Sequence, residues 1–196
     1  MYENYFGLKE KPFNTTPDPR FFYASARHFE ALNGLWYAIE ERKGFVAIMG
    51  DIGAGKTTVC RTLMKKLDKT TKVALITNTH LTARELIASI LEEFEVEAKG
   101  SKQKLLSALN TYLIQQLAAD VNVVLIIDEA QNLTTKVLEE VRMLSNLETE
   151  REKLIQIILL GQPQLKARLE NEKLEQFRQR IAFSYFIEPL SRQDTA

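Results

Sequence analysis

Apolar residues in this chain fall alternately into short runs and into stripes at helical spacing. Five runs, over 45–49, 73–77, 123–127, 154–160 and 182–187, predict strands. The run Val123-Val124-Leu125-Ile126-Ile127 has no polar break, the pattern of a strand covered on both faces. Between the runs lie the stripes. A helix over about 27–42 carries Phe29, Leu32, Trp36 and Ile39 on one face and stops at Gly44. Val59, Leu63 and Leu67, with Cys60 and Met64 beside them, predict a second helix. Leu86, Ile87, Ile90, Leu91 and Phe94 mark one over 82–95. Leu105, Leu109, Tyr112 and Leu113 mark another over 101–119, with Gly100 between the two. Val137, Leu138, Val141, Leu144 and Leu147 define a further helix, a Lys- and Arg-rich helical region covers 165–180, and Pro189 breaks the pattern. Strands alternating with helices predict an α/β fold, a five-stranded parallel sheet with helices on both faces.

Composition narrows this picture only modestly. At 196 residues, 45% apolar and 27% charged, the chain reads as one globular catalytic domain. Acidic and basic side chains balance at 26 each, which argues against nucleic-acid binding driven by bulk charge, though Lys65, Lys66, Lys69 and Lys72 can form a small basic edge. Cys60 is the single cysteine, so no internal disulfide is possible. With no membrane-length apolar stretch and no signal-like start, a cytoplasmic location is expected. The first 23 residues hold seven of the seventeen aromatics, punctuated by Pro12, Pro17 and Pro19. That composition predicts an irregular arm, 1–25, packed on the core, since disordered tails are aromatic-poor.

The chemistry concentrates at the ends of two predicted strands. Gly50-Asp51-Ile52-Gly53-Ala54-Gly55-Lys56-Thr57, followed by Thr58, is a complete phosphate-binding loop set between a strand and a helix. Its glycines let backbone N–H groups turn inward around a phosphate, and the helix N-terminus adds partial positive charge there. Lys56 is expected to neutralise the β/γ oxygens of ATP, and Thr57 to hold Mg²⁺ through its hydroxyl. The strand over 123–127 ends in Asp128-Glu129-Ala130-Gln131. Asp128 is expected to order the Mg²⁺ shell and Glu129 to act as general base, the two dividing the labour because neighbours on a strand face opposite ways.

Gln131 and Asn132 either meet the γ-phosphate or cap the next helix. Gln162, at the tip of the fourth strand, is either a γ-phosphate sensor or a turn amide. His28 either touches base or sugar or serves as a local hydrogen-bonding residue. An extra strand and two helices between loop and acids favour the ATPases that pair a catalytic Glu with the metal-ordering Asp. In ring-forming members an arginine reaches a neighbour's γ-phosphate, and Arg178 and Arg180 are the candidates here.

Tyr5-Phe6-Gly7-Leu8, Pro12-Phe13 and Pro17-Asp18-Pro19-Arg20-Phe21 resemble the start of the ExeA-like ATPases, also called the general secretion pathway protein A family. Residues 50–58, 125–131, Leu144-Ser145-Asn146-Leu147-Glu148, Gly161-Gln162-Pro163 and Gln179-Arg180-Ile181 follow in that family's order. The resemblance implies an AAA+ fold over 26–190 with strand order 5-1-4-3-2, ATP hydrolysis with Mg²⁺, and nucleotide-dependent self-association into an oligomer or ring. It further implies a protein partner in the assembly of secretion or export machinery in the cell envelope. Relatives continue into a helical lid, of which 191–196 resembles the first turn, and many add an inner-membrane anchor. A competing reading comes from transposition AAA+ proteins that bind DNA and share much of this core, and a third is a scaffold that binds ATP without turning it over.

Overall fold

The computed structural model describes residues 2–10, 22–68, 70–150 and 152–195. At its centre β1 (Phe45–Gly50), β2 (Thr71–Ile76), β3 (Asn122–Ile127), β4 (Gln156–Gly161) and β5 (Ile181–Ile187) form one sheet. Every pairing is parallel, and the order β2-β3-β4-β1-β5 is the expected 5-1-4-3-2 read from the other edge. β1 and β4 are buried at every position and β3 at all but its first, because each sends apolar side chains to both faces. The edge strand β5 alternates instead, with one row of side chains half-buried and the other exposed up to Ile187.

Among the described residues the α-helices, in chain order, are α1 (Tyr2–Phe6), α2 (Ala26–Glu40), α3 (Lys56–Lys66), α4 (Ala83–Glu93), α5 (Lys102–Ala118), α6 (Thr135–Leu144), α7 (Pro163–Leu169), α8 (Glu175–Arg178) and α9 (Arg192–Thr195). α4 to α8 cover one face of the sheet over a core that includes Phe45, Ala47, Leu125, Ile127 and Phe177. α2 and α3 cover the other, over Val46, Ile48, Val124 and Ile126. The alternation along β1 and β3 thus feeds two cores from the same strands.

Several boundaries differ from the sequence pattern, each for a local reason. On α2 the buried stripe is His28, Ala31, Leu32, Leu35, Ala38 and Ile39, whereas Phe29 and Trp36 face outward. The helix lies close to β5 beside that stripe: a Cβ at Gly34 would come within 2.8 Å of the Phe183 ring. The helical region over 165–180 is broken after α7, where Asn171 accepts from the Lys173 N–H and starts a single 3₁₀ turn, Glu172–Leu174, ahead of α8. α6 stops at Leu144, and Leu147 packs on the core from the loop beyond, its carbonyl taken by the Leu154 N–H.

Packing of the N-terminal arm is uneven among its described residues. Phe22 packs against the core, whereas Tyr5 and Phe6 are 84% and 67% exposed and α1 buries nothing. Phe13, Phe21, Pro12, Pro17 and Pro19 lie outside the described residues.

Candidate functional site

β1 ends at Gly50 and the chain turns through 51–55 into α3. The turn needs glycine at specific points. A Cβ on Gly50 would lie 2.4 Å from the Ile187 carbonyl of β5, and Gly55 takes φ +84° at the N-cap of α3, where no side chain caps the helix. The amides of the first turn of α3 are therefore left for an anion. Lys56 is buried, and its ammonium donates to the Gly50 and Asp51 carbonyls, both at 2.9 Å, so the lysine is held within the loop.

β3 lies beside β4, which lies beside β1, and all three end at the same edge of the sheet. The Thr57 hydroxyl donates to Asp128 Oδ2 at 2.9 Å, a bond spanning 71 positions that joins the loop to the acidic strand end. Asp128 itself is buried, and its other oxygen accepts the Glu129 N–H at 2.9 Å. The separation of the two acids does not come from strand alternation. β3 ends at Ile127, and Glu129 is turned by a left-handed backbone, φ 51° and ψ 38°, an uncommon conformation for a side-chain-bearing residue.

Glu129 sits in a small network. Its Oε2 accepts from Gln131 Nε2 and, at 3.0 Å, from Gln162 Nε2. Gln131 Oε1 in turn accepts the Gln162 N–H at 3.0 Å, and the Gln131 carbonyl accepts from Arg168 of α7. Gln131 thus ties the end of β3 to the end of β4. Sequence reasoning undervalued it, because two of its three partners, 31 and 37 positions away, leave no local pattern. A cleft of about 590 Å³ opens here, lined by Ile52, Gly53, Gly55, Lys56, Thr57, Thr58, Glu129, Asn132 and Gln162.

His28 is absent from that lining. It is buried behind the loop, its Nε2 2.9 Å from the Ala54 carbonyl and its Nδ1 2.6 Å from the Ser25 hydroxyl. Arg178 and Arg180 are exposed, and neither side chain has a hydrogen-bond or ion-pair partner among the described residues. Both precede β5, whose first residue pairs with Phe45 at the start of β1, while the loop follows the other end of that strand at Gly50. At roughly 3.3 Å per residue, six residues of strand put these arginines about 20 Å from their own loop. In the helix behind the loop, burial first and the Asp128 charge second push the Cys60 thiol up to about 12, so it is inert packing.

The donor set suits a magnesium nucleotide. A hydroxyl and a carboxylate meet at hydrogen-bond distance beside a lysine and a ring of backbone amides, and Mg²⁺ takes a few protein oxygens together with phosphate and water. No cluster of three or more His, Cys, Asp or Glu side chains that could hold a metal ion occurs among the described residues.

Loop, acid and sheet order together define a P-loop nucleotide-binding domain of the AAA type. Residues 39–169 match the AAA domain family, and the chain belongs to that family, in the branch of the ExeA-like proteins. It is 43% identical over 196 residues to general secretion pathway protein A of Aeromonas hydrophila, a match covering 99% of this chain and 36% of that protein. The chain therefore spans about a third of that relative's length.

Among solved structures, the ORC2 protein of Aeropyrum pernix in its ADPNP–ADP complexes superposes with a TM-score of 0.71 at 14% identity, covering 93% of this chain and 52% of that one. Cdc6p of Pyrobaculum aerophilum gives 0.68 at 19%, covering 88% and 48%. At such identities the likeness is one of fold. No helix among the described residues is long and apolar enough to cross a membrane.

Proposed function

We propose that this domain binds ATP with Mg²⁺ and hydrolyses it, in the service of a secretion or envelope-assembly system. The observation that carries the reading is the Thr57–Asp128 bond, which brings loop and acids to one cleft. Residues 50–58 would wrap the phosphates, Lys56 would leave its two loop carbonyls for the β/γ oxygens, and Thr57 and Asp128 would hold the metal, directly and through water. The bound metal supplies charge neutralisation to the phosphates.

Glu129, half-buried at the cleft wall, takes a proton from the attacking water, whose oxygen bonds to the γ-phosphorus as the bond to the β-phosphate oxygen breaks. Gln162 lies within reach of both that carboxylate and the cleft, which suits a sensor of the γ-phosphate. Arg178 or Arg180, too distant for its own site, would serve a neighbour's, so activity is tied to self-association in which adjacent copies share a site.

Lys56→Ala is expected to abolish ATP binding, measured by calorimetry, while Glu129→Gln binds ATP normally and fails to release phosphate. Equal losses of binding in both variants would refute this division of roles. The cellular assignment rests on likeness to general secretion pathway protein A alone. Hydrolysis stimulated by envelope fractions or peptidoglycan supports it, and stimulation by DNA alone would replace it with a nucleic-acid role.

A further inference from the structure

We propose that His28 is a positioning residue of the phosphate loop, bracing it from behind without touching the nucleotide. The inference rests on the reading that this loop binds phosphates, and extends it to a residue outside the motif. A carbonyl can only accept, so the 2.9 Å approach of Nε2 to the Ala54 oxygen places the ring proton on Nε2. Nδ1 is then the acceptor for the Ser25 hydroxyl at 2.6 Å. Ser25 is also the N-cap of α2, its hydroxyl accepting the His28 N–H. The ring is therefore oriented by the start of one helix and bonded to the loop that starts another, across 26 positions.

Its surroundings leave it one orientation. The side chain is only 4% exposed, Phe22 packs edge-on at 5.7 Å, and Ala54, the residue it holds, is itself buried. Gly55 completes the fit: a Cβ there would come within 2.8 Å of Nε2, so the glycine that gives the left-handed turn also makes room for the imidazole. A loop amide can aim at a phosphate only while the peptide planes of the loop hold their orientation. The bond to Ala54 fixes the plane immediately before Gly55 and Lys56. Without it the loop samples orientations in which its amides diverge, and apparent affinity falls in proportion to the competent fraction.

A brace and a base contact differ in which ligands they affect. The test compares wild type, His28→Ala and His28→Gln, whose amide nitrogen can reach the same carbonyl, in titrations with ATP, GTP and tripolyphosphate, each with Mg²⁺. His28→Ala is expected to weaken all three by a common factor of about tenfold, the scale of one buried hydrogen bond left unmade, with His28→Gln restoring most of it. Loss confined to ATP, with tripolyphosphate unaffected, would make His28 a base contact and overturn the proposal, as would unchanged binding of all three.

Should His28→Ala fail to fold, Ser25→Ala removes the group that orients the ring while keeping the ring itself. It should weaken all three ligands together by a smaller common factor, and an unchanged tripolyphosphate affinity would again count against the brace. Lys56→Ala run alongside separates the two ideas. If it binds as well as wild type, the phosphate-loop reading itself is wrong; if it fails to bind while His28→Ala binds normally, only the brace is.

Discussion

Gln131→Ala probes how the Glu129 carboxylate, the proposed general base, is held, and its effect can be worked from the hydrogen bonds. The side chain donates to Glu129 Oε2, a charge-assisted bond worth roughly 1.5–3 kcal/mol, and accepts the Gln162 N–H at 3.0 Å, worth about 1 kcal/mol. Both lie at a part-buried cleft that water can enter, so the lower end of the range applies, about 2 kcal/mol in all. Glu129 is not orphaned, since Gln162 Nε2 still donates to it at 3.0 Å. It loses one of two tethers, and Gln162 loses the acceptor that seats its backbone.

If that free energy is spent in the transition state, kcat falls about thirtyfold, at 1.4 kcal/mol per factor of ten. Nucleotide affinity should change less than about threefold, because Gln131 is not among the residues lining the cleft. Single-turnover phosphate release, paired with calorimetric titration of ATP, reads the two quantities separately. Gln131→Glu should be worse than the alanine, because it sets a second carboxylate against Glu129. Unchanged turnover, or affinity falling in step with kcat, would refute the positioning role.

Two further outcomes are expected. If the site is shared between copies, Arg180→Ala protein is nearly inactive alone and regains turnover when mixed with Glu129→Gln protein; no rescue at any mixing ratio would remove Arg180 from the reaction and leave Arg178 as the candidate. The Cys60 thiol, raised to about 12 by burial, is disfavoured as thiolate in the folded state. Iodoacetamide labelling should therefore be slow until urea unfolds the domain, and rapid labelling of native protein would show that the helix behind the loop is not packed as described.

Much of the site was legible in advance because its parts are contiguous. A loop in which glycine, lysine and threonine occupy fixed offsets, and an aliphatic run ending in two acids, each carry their chemistry within a few residues. The roles of His28 and Gln131 were not legible. Beyond their local bonds to Ser25 and Glu129, their partners lie 26 to 37 positions away, and the same residue types at helix starts and turns are expected to bond locally. Ser25 three residues before His28 was the one available signal, an N-cap serine whose hydroxyl also orients the ring. The face of α2 was misread for a related reason. Phe29 and Trp36 share helical spacing with Leu32 and Ile39, yet only the two aliphatics lie on the face that packs on the core, and which face that is depends on how the helix sits on the sheet.

The sequence alone determined most of the elements, the parallel sheet and the place of the glycine-rich loop between β1 and α3, since these follow from short-range periodicity and from backbone geometry that only certain residues tolerate. Tertiary structure decided which side chains meet: that Thr57 reaches Asp128, that a left-handed turn separates Glu129 from its neighbour, and that His28 stands behind the loop. Such contacts depend on how strands far apart in the chain are ordered and on ångström-scale clearances between packed elements, and neither is written in the spacing of residues along one segment.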